Sequence, residues 1–103
     1  MTEHRQYPRK PLRLPVSFAL VDGSRIDASC RDISLGGMFI ETPEPMPYGA
    51  DVTIHLWLPG LTAETAVKSV VRWTQRGTGM GVQFGTMGAR ETHALIQLLQ
   101  QAS

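Results

Sequence analysis

The sequence has one cysteine, no long apolar run and almost no net charge, and each shortage excludes a class of protein. Cys30 is alone, so the chain has no internal disulfide, in agreement with a reducing compartment. No apolar run approaches the roughly 18 residues of a membrane span, and the N-terminal residues are charged rather than signal-like. We therefore expect a cytoplasmic protein without membrane insertion.

The formal net charge of +1 argues against bulk electrostatic binding of duplex nucleic acid, but the basic residues are unevenly distributed. Four of them lie near the N-terminus, where only Glu3 opposes them: Arg5, Arg9, Lys10 and Arg13. The planar guanidinium of arginine pairs with a phosphate or a base edge through two hydrogen bonds. This end of the chain is therefore suited to binding a small anion, and a solvated basic tail is the alternative.

Groups for catalysis and metal binding are also sparse. His4, His55 and His93 are far apart and lack HxxE, HxH or CxxC spacing, so no zinc site is predicted. Cys30 occupies an inward strand position and is expected to be a core thiol. No GxxxxGKS phosphate loop is present, and no spacing indicates paired carboxylates. We expect no enzyme activity, no cofactor and no metal.

Alternating apolar residues predict six short strands separated by turns that are rich in glycine and proline. The predicted strands cover residues 12–20, 25–33, 37–42, 51–58, 65–76 and 80–84. In the fifth strand, alternation places Trp73 on the same face as Val67 and Val71. Trp57 is expected to face away from the core side of its strand.

The spacing of apolar residues changes after the sixth strand, from alternation to the helical i, i+3, i+4 pattern. The predicted fold class is therefore all-β with a C-terminal helix, a small antiparallel barrel or sandwich with a helical lid. Residues 1–12 have two prolines and no periodicity, and we expect a flexible N-terminal arm there. Residues 13–103 form the predicted barrel, with the helix at about 88–102, in one domain overall.

The junction between the second and third predicted strands, CRDISLGGMF, carries more functional groups than a turn requires. A hairpin needs only two turn residues, yet this junction contains Asp32, Ser34, Gly36 and Gly37. An aspartate accepts hydrogen bonds from the Watson–Crick edge of guanine, and a serine hydroxyl can bond a phosphate oxygen. Glycines let the backbone approach a phosphate closely. Asp and Ser also cap turns, so a purely structural role is the alternative.

The arm carries groups that complement this corner. Arg5 and Arg9 lie in RQYPR, and arginines bind the O6/N7 edge of guanine, stack on its face or hold a phosphate. Arm and corner together contain what a guanine nucleotide with phosphates requires.

RQYPR at 5–9 and DISLGG at 32–37 resemble the RxxxR and (D/N)xSxxG motif pair of PilZ domains. The resemblance extends over nearly the whole chain, because the strand order, VVRW at 70–73, GMGVQF at 79–84 and the closing helix are also similar. It implies a single-domain PilZ protein, a six-stranded antiparallel β-barrel of the split-barrel type. It also implies binding of the bacterial second messenger cyclic di-GMP.

The resemblance assigns a role to each motif residue. Arg5 and Arg9 would lie on a flexible segment that closes over the nucleotide and would hold guanine and phosphate. Asp32 and Ser34 would contact guanine and the phosphate–sugar backbone from the barrel surface. Gly37 would shape the turn.

His4, Arg31 and Gly36 are secondary candidates for ligand contact. The family often has a further arginine just before RxxxR, which tends to accompany an intercalated ligand dimer, whereas this sequence has His4 there. The ligand stoichiometry is therefore open. Arg31 is outward on a strand beside the corner, where it could join an anion site or be part of a solvated strand face.

The function implied is a cyclic di-GMP receptor that orders its arm on ligand binding and signals to a protein partner whose identity the sequence does not give. The alternative is a PilZ-like adaptor that works without ligand. A more distant alternative is a small barrel that binds single-stranded nucleic acid through Trp57 or Trp73.

Overall fold

The computed structural model describes residues 10–101, which form six strands and one helix. The elements in chain order are β1 (Lys10–Ala19), β2 (Arg25–Ile33), β3 (Gly37–Glu41), β4 (Asp51–Leu56), β5 (Thr65–Gln75), β6 (Gly79–Phe84) and α1 (Ala89–Gln101). All strand pairs are antiparallel, and they close a barrel in the order β1-β2-β3-β6-β5-β4. The predicted fold class, an all-β barrel with a C-terminal helix, is confirmed.

Inward-facing side chains from every strand fill the barrel, and α1 adds to the same core. The largest fully buried side chains are those of Phe18, Ile33, Met38, Ile40, Ile54, Met80, Leu95, Val71, Val82 and Cys30. Burial of Cys30 agrees with its predicted place as a core thiol. From α1, Ala94 and Leu95 are the buried residues, so the helix packs on the core through one apolar stripe, as its period predicts.

A β-bulge in β5 overturns the predicted place of Trp73. Val67 and Val71 are buried as expected, whereas Trp73 is 49% exposed. Val71 is opposite Val82 and Trp73 is opposite Gly81, so Arg72 is an extra residue on the β5 side of the pair. A bulge of this kind shifts the alternation of inward-facing and outward-facing side chains by one residue, and Trp73 therefore points out of the barrel.

A second bulge lies in β2, at the edge of the DISLGG corner. Cys30 is opposite Ile40 and Asp32 is opposite Phe39, which leaves Arg31 as the extra residue. Cys30 and Ile33 are both fully buried although they are three residues apart. The bulge thus changes which side chains of the corner face outward.

Two strands differ from the prediction by two residues at one end, β1 at its start and β4 at its end. β1 begins at Lys10, so the expected boundary of the arm at residue 12 falls inside a strand. Residues 1–9, the rest of that arm, lie outside the part of the chain that the structure describes. β4 ends at Leu56, and the exposed Trp57 follows it.

In residues 10–101 the structure contains no helix with both the length and the apolarity that a membrane crossing requires.

Candidate functional site

The DISLGG corner links β2 to β3 through a tight turn that its own serine holds. The Ser34 N–H donates to the Gly37 carbonyl at 2.8 Å, and the Gly36 N–H donates to Ser34 Oγ at 3.1 Å. Ser34 is only 4% exposed, because β2 ends at Ile33 and Ser34 lies inside the turn. The hydroxyl therefore has a turn-forming role, and its contact with a ligand stays a prediction.

The glycines of the corner allow it to lie against β6. A Cβ on Gly37 would lie 2.0 Å from the Val82 carbonyl oxygen, a backbone atom that cannot move aside alone. The Gly36 carbonyl accepts a hydrogen bond of 2.9 Å from the Phe84 N–H. Close approach to a neighbouring strand thus requires glycine at position 37 whether or not a ligand binds.

Asp32 lies on the outer side of the barrel, between β1 and β3. It is opposite Pro11 on one side and Phe39 on the other, and its side chain is 22% exposed. Arg31 Nε lies 3.5 Å from Asp32 Oδ2. A carboxylate that faces outward beside a guanidinium can accept hydrogen bonds from a ligand donor such as a guanine N–H.

The start of β1, which follows the arm motif in the chain, lies beside this corner. Lys10 is opposite Ile33 and Pro11 is opposite Asp32, and Arg9 directly precedes Lys10 in the chain. Arg5, Arg9 and His4 themselves lie outside the described residues.

Lys10 also ties the start of β1 to α1. Its Nζ donates to the Leu99 carbonyl at 3.0 Å, in the last turn of the helix. The last turn of α1 has no basic residue of its own, so Lys10 supplies the cation that favours a helix C-terminus.

An outer stack of Arg31, Phe39 and Trp73 lies beside Asp32. The Arg31 Cζ is 3.9 Å from the centre of the Phe39 ring, and the Phe39 and Trp73 ring centres are 5.3 Å apart with a 50° tilt. β6 makes room for it, because a Cβ on Gly79 would lie 2.7 Å from the Phe39 ring. The stack depends on the bulges in β2 and β5, so strand alternation did not predict it. The glycines at alternate positions of GMGVQF were the one sequence signal for it, because they leave room for aromatic rings on that face of β6.

A second guanidinium, that of Arg72, lies near the corner, and the sequence patterns did not predict it either. Arg72 Nε donates to Gln83 Oε1 at 2.9 Å, and Gln83 is opposite Gly37. The strands around the corner therefore carry two arginines, Arg31 beside Asp32 and Arg72 beside Gln83.

Arg13 of β1 and Glu41 of β3 form an exposed ion pair. Both guanidinium Nη atoms of Arg13 donate to the Glu41 carboxylate. The hydrogen bond from Arg13 lowers the pKa of Glu41, and Glu41 in turn raises the pKa of Arg13. The charge of Arg31 also lowers the pKa of Glu41, so this ion pair adjoins the site.

Nowhere in residues 10–101 do three His, Cys, Asp or Glu side chains come together as metal ligands. The groups at the corner are hydrogen-bond donors, one acceptor and planar stacking surfaces. Such a set favours binding of an anionic, planar ligand.

Comparison with known proteins assigns the chain to a family. Residues 3–101 match the sequence profile of the family described as PilZ domain. The chain belongs to the PilZ domain family. The family predicted from the two motifs is thereby confirmed, and the fold of this PilZ domain agrees with that of solved members.

Two solved structures show the extent of the likeness. The PilZ domain with cyclic di-GMP of YcgR from Escherichia coli has a TM-score of 0.72 at 19% identity, covering 96% of this chain and 93% of that one. The inhibitor of motility MotI/DgrA from Bacillus subtilis has a TM-score of 0.72 at 21% identity, covering 94% and 49%. At these identities the likeness shows the shared fold.

One curated relative is similar in sequence over the same region. The cellulose synthase catalytic subunit (UDP-forming) of Xanthomonas axonopodis pv. citri (strain 306) is 28% identical over 92 residues. The match covers 89% of this chain and 12% of the relative. This PilZ domain thus spans only a small part of the length of that relative.

Proposed function

We propose that this PilZ domain is a receptor for cyclic di-GMP. The observation that carries the proposal is the position of the start of β1: Pro11 lies opposite Asp32, and Arg9 is two residues before Pro11 in the chain. The PilZ domain of E. coli YcgR, which was solved with cyclic di-GMP, has the same fold and supports the same ligand here.

The chemistry of the corner fits this ligand. Cyclic di-GMP has two guanines, whose edges carry N–H donors, and two phosphate charges. Asp32 offers the acceptor for a guanine edge, and the arginines of the arm and the barrel offer donors for phosphate and for the O6/N7 edge. Ser34 and Gly37 hold the corner in shape, and Gly36 presents backbone there.

Calorimetric titration with cyclic di-GMP tests the proposal, with Asp32→Ala as the variant. We expect micromolar or tighter binding by the wild type and loss of measurable binding in the variant, because the guanine edge loses its acceptor. Arg25→Ala is the matched control, since it removes a charge paired with Glu64 at the opposite end of β2 from the corner, and should bind as the wild type does. A wild type that gives no heat with millimolar ligand would overturn the proposal.

We further propose that ligand binding orders the N-terminal arm, and that the ordered arm is what a protein partner recognises. The anchor of the arm supports this, because Lys10 is fixed both to β2 and to α1. Bound nucleotide would be held between the barrel and the arginines that precede this anchor, and ordering would occur at the moment of binding.

Limited trypsin digestion measures the ordering of the arm. Cyclic di-GMP should slow cleavage after Arg5 and Arg9, whereas cleavage after Arg76, exposed in the turn between β5 and β6, should be unchanged. Equal rates at the arm with and without saturating ligand would contradict this part of the proposal.

A further inference from the structure

Arg31 is held in place by two contacts before any ligand arrives. Its guanidinium lies over the Phe39 ring with Cζ 3.9 Å from the ring centre, and its Nε lies 3.5 Å from Asp32 Oδ2. An arginine held on two sides loses less conformational freedom when it binds a ligand.

The ring on which Arg31 lies, that of Phe39, is buried and well packed. Phe39 is only 5% exposed, and it packs against Trp73 and lies close to the backbone at Gly79. Nevertheless the Arg31 side chain is 45% exposed. The guanidinium therefore lies over the ring and also presents surface to solvent.

We propose that Arg31 is the fixed stacking residue of the nucleotide site, with its guanidinium between the Phe39 ring and one guanine base. This inference rests on the proposed function and deepens it by assigning a contact to a residue outside the core motif. A planar guanidinium stacks on aromatic faces. A base placed on Arg31 lies next to Asp32, so the same guanine is stacked on its face and bound at its edge.

Stacking is distinguishable from a purely electrostatic role. Nε of Arg31 already faces Asp32, which partly neutralises the charge that a phosphate would use. Lysine carries the same charge but has no planar group, so it cannot replace arginine in a stack.

Calorimetric titration of Arg31→Lys and Arg31→Ala with cyclic di-GMP tests the assignment. We expect both variants to bind about tenfold more weakly than the wild type, with lysine recovering little of the loss. The ratio of variant to wild-type affinity should change little between low and high salt, because stacking is screened far less than charge. Arg25→Lys and Arg25→Ala are the matched controls, because Arg25 is paired with Glu64 at the opposite end of β2, and they should bind as the wild type does.

The outcomes separate this inference from the proposed function. If Arg31→Lys binds as tightly as the wild type, or if Arg31→Ala does, the stacking role is overturned while the receptor stands. If the loss disappears at high salt, Arg31 acts through its charge and the inference is again wrong. A wild type without binding removes the receptor itself. Thermal unfolding of each variant checks that the substitution of this exposed residue leaves the fold intact.

Discussion

Replacing Gly37 with alanine tests whether the corner glycine is needed for the fold itself. The new Cβ would lie 2.0 Å from the Val82 carbonyl oxygen and 3.1 Å from the Val82 carbonyl carbon, whereas ordinary contacts begin at 3.4 Å. Both obstructing atoms belong to the backbone of β6. Relief of the overlap therefore requires β3 and β6 to separate locally, which weakens the pairing that closes the barrel.

Overpacking of this kind typically costs about 1–3 kcal/mol, and the backbone clash places Gly37→Ala at the upper end, about 3 kcal/mol. Gly81→Ala is the matched control, because Gly81 is also a buried strand glycine. Its nearest obstacle is Trp73 Cβ at 3.6 Å, an ordinary contact. Alanine there should be neutral or stabilise by up to about 1 kcal/mol, since it restricts the unfolded chain.

Urea unfolding followed by circular dichroism measures the free energy of unfolding of both variants. For a domain of this size the expected loss in Gly37→Ala corresponds to a fall in Tm of more than about 10 °C. A difference between the two variants of less than about 0.5 kcal/mol, the usual range for an innocuous surface substitution, would refute the argument from close approach.

Two further predictions concern side chains around the corner. Ser34→Ala removes the acceptor of the Gly36 N–H and should lower the free energy of unfolding by about 1 kcal/mol in the same urea assay; an unchanged value would mean that the turn does not depend on the hydroxyl. Arg13→Ala should raise the pKa of Glu41 back toward its ordinary range, because the lowering comes from the Arg13 hydrogen bond. Since the folded pKa is lowered, this stabilisation is present at neutral pH and is lost as the pH falls through the pKa of folded Glu41. NMR titration of the Glu41 carboxyl checks it, and an unchanged midpoint in the variant would contradict the assigned cause.

Strand alternation predicted most of the barrel because antiparallel strands bury one face and leave the other partly exposed. It was wrong at Trp73, where the bulge at Arg72 inserts one residue. Bulges follow no sequence period, since they are set by the pairing of two strands. The same reason hid the contact between Arg31 and Phe39, which depends on the bulge in β2.

The candidate site was predictable in its residue types and less so in its geometry. The motif residues of the corner were recognisable because few turns need a carboxylate, a hydroxyl and two glycines together. The sequence left open that Ser34 is buried in the turn and that Gly37 touches β6. Both facts depend on the distance between strands that are far apart in the chain, which local patterns do not determine.

An NMR titration of the ¹⁵N-labelled protein with cyclic di-GMP tests the central claim most directly. We predict saturable shifts of the amide signals of Lys10, Arg31 and Gly36, which lie at the start of β1 and in the corner beside it. The amide signal of Glu64, whose carboxylate accepts a hydrogen bond from Arg25 at the opposite end of β2, should stay unchanged. A spectrum that does not change at saturating ligand, or one that changes only around Glu64, would contradict the account.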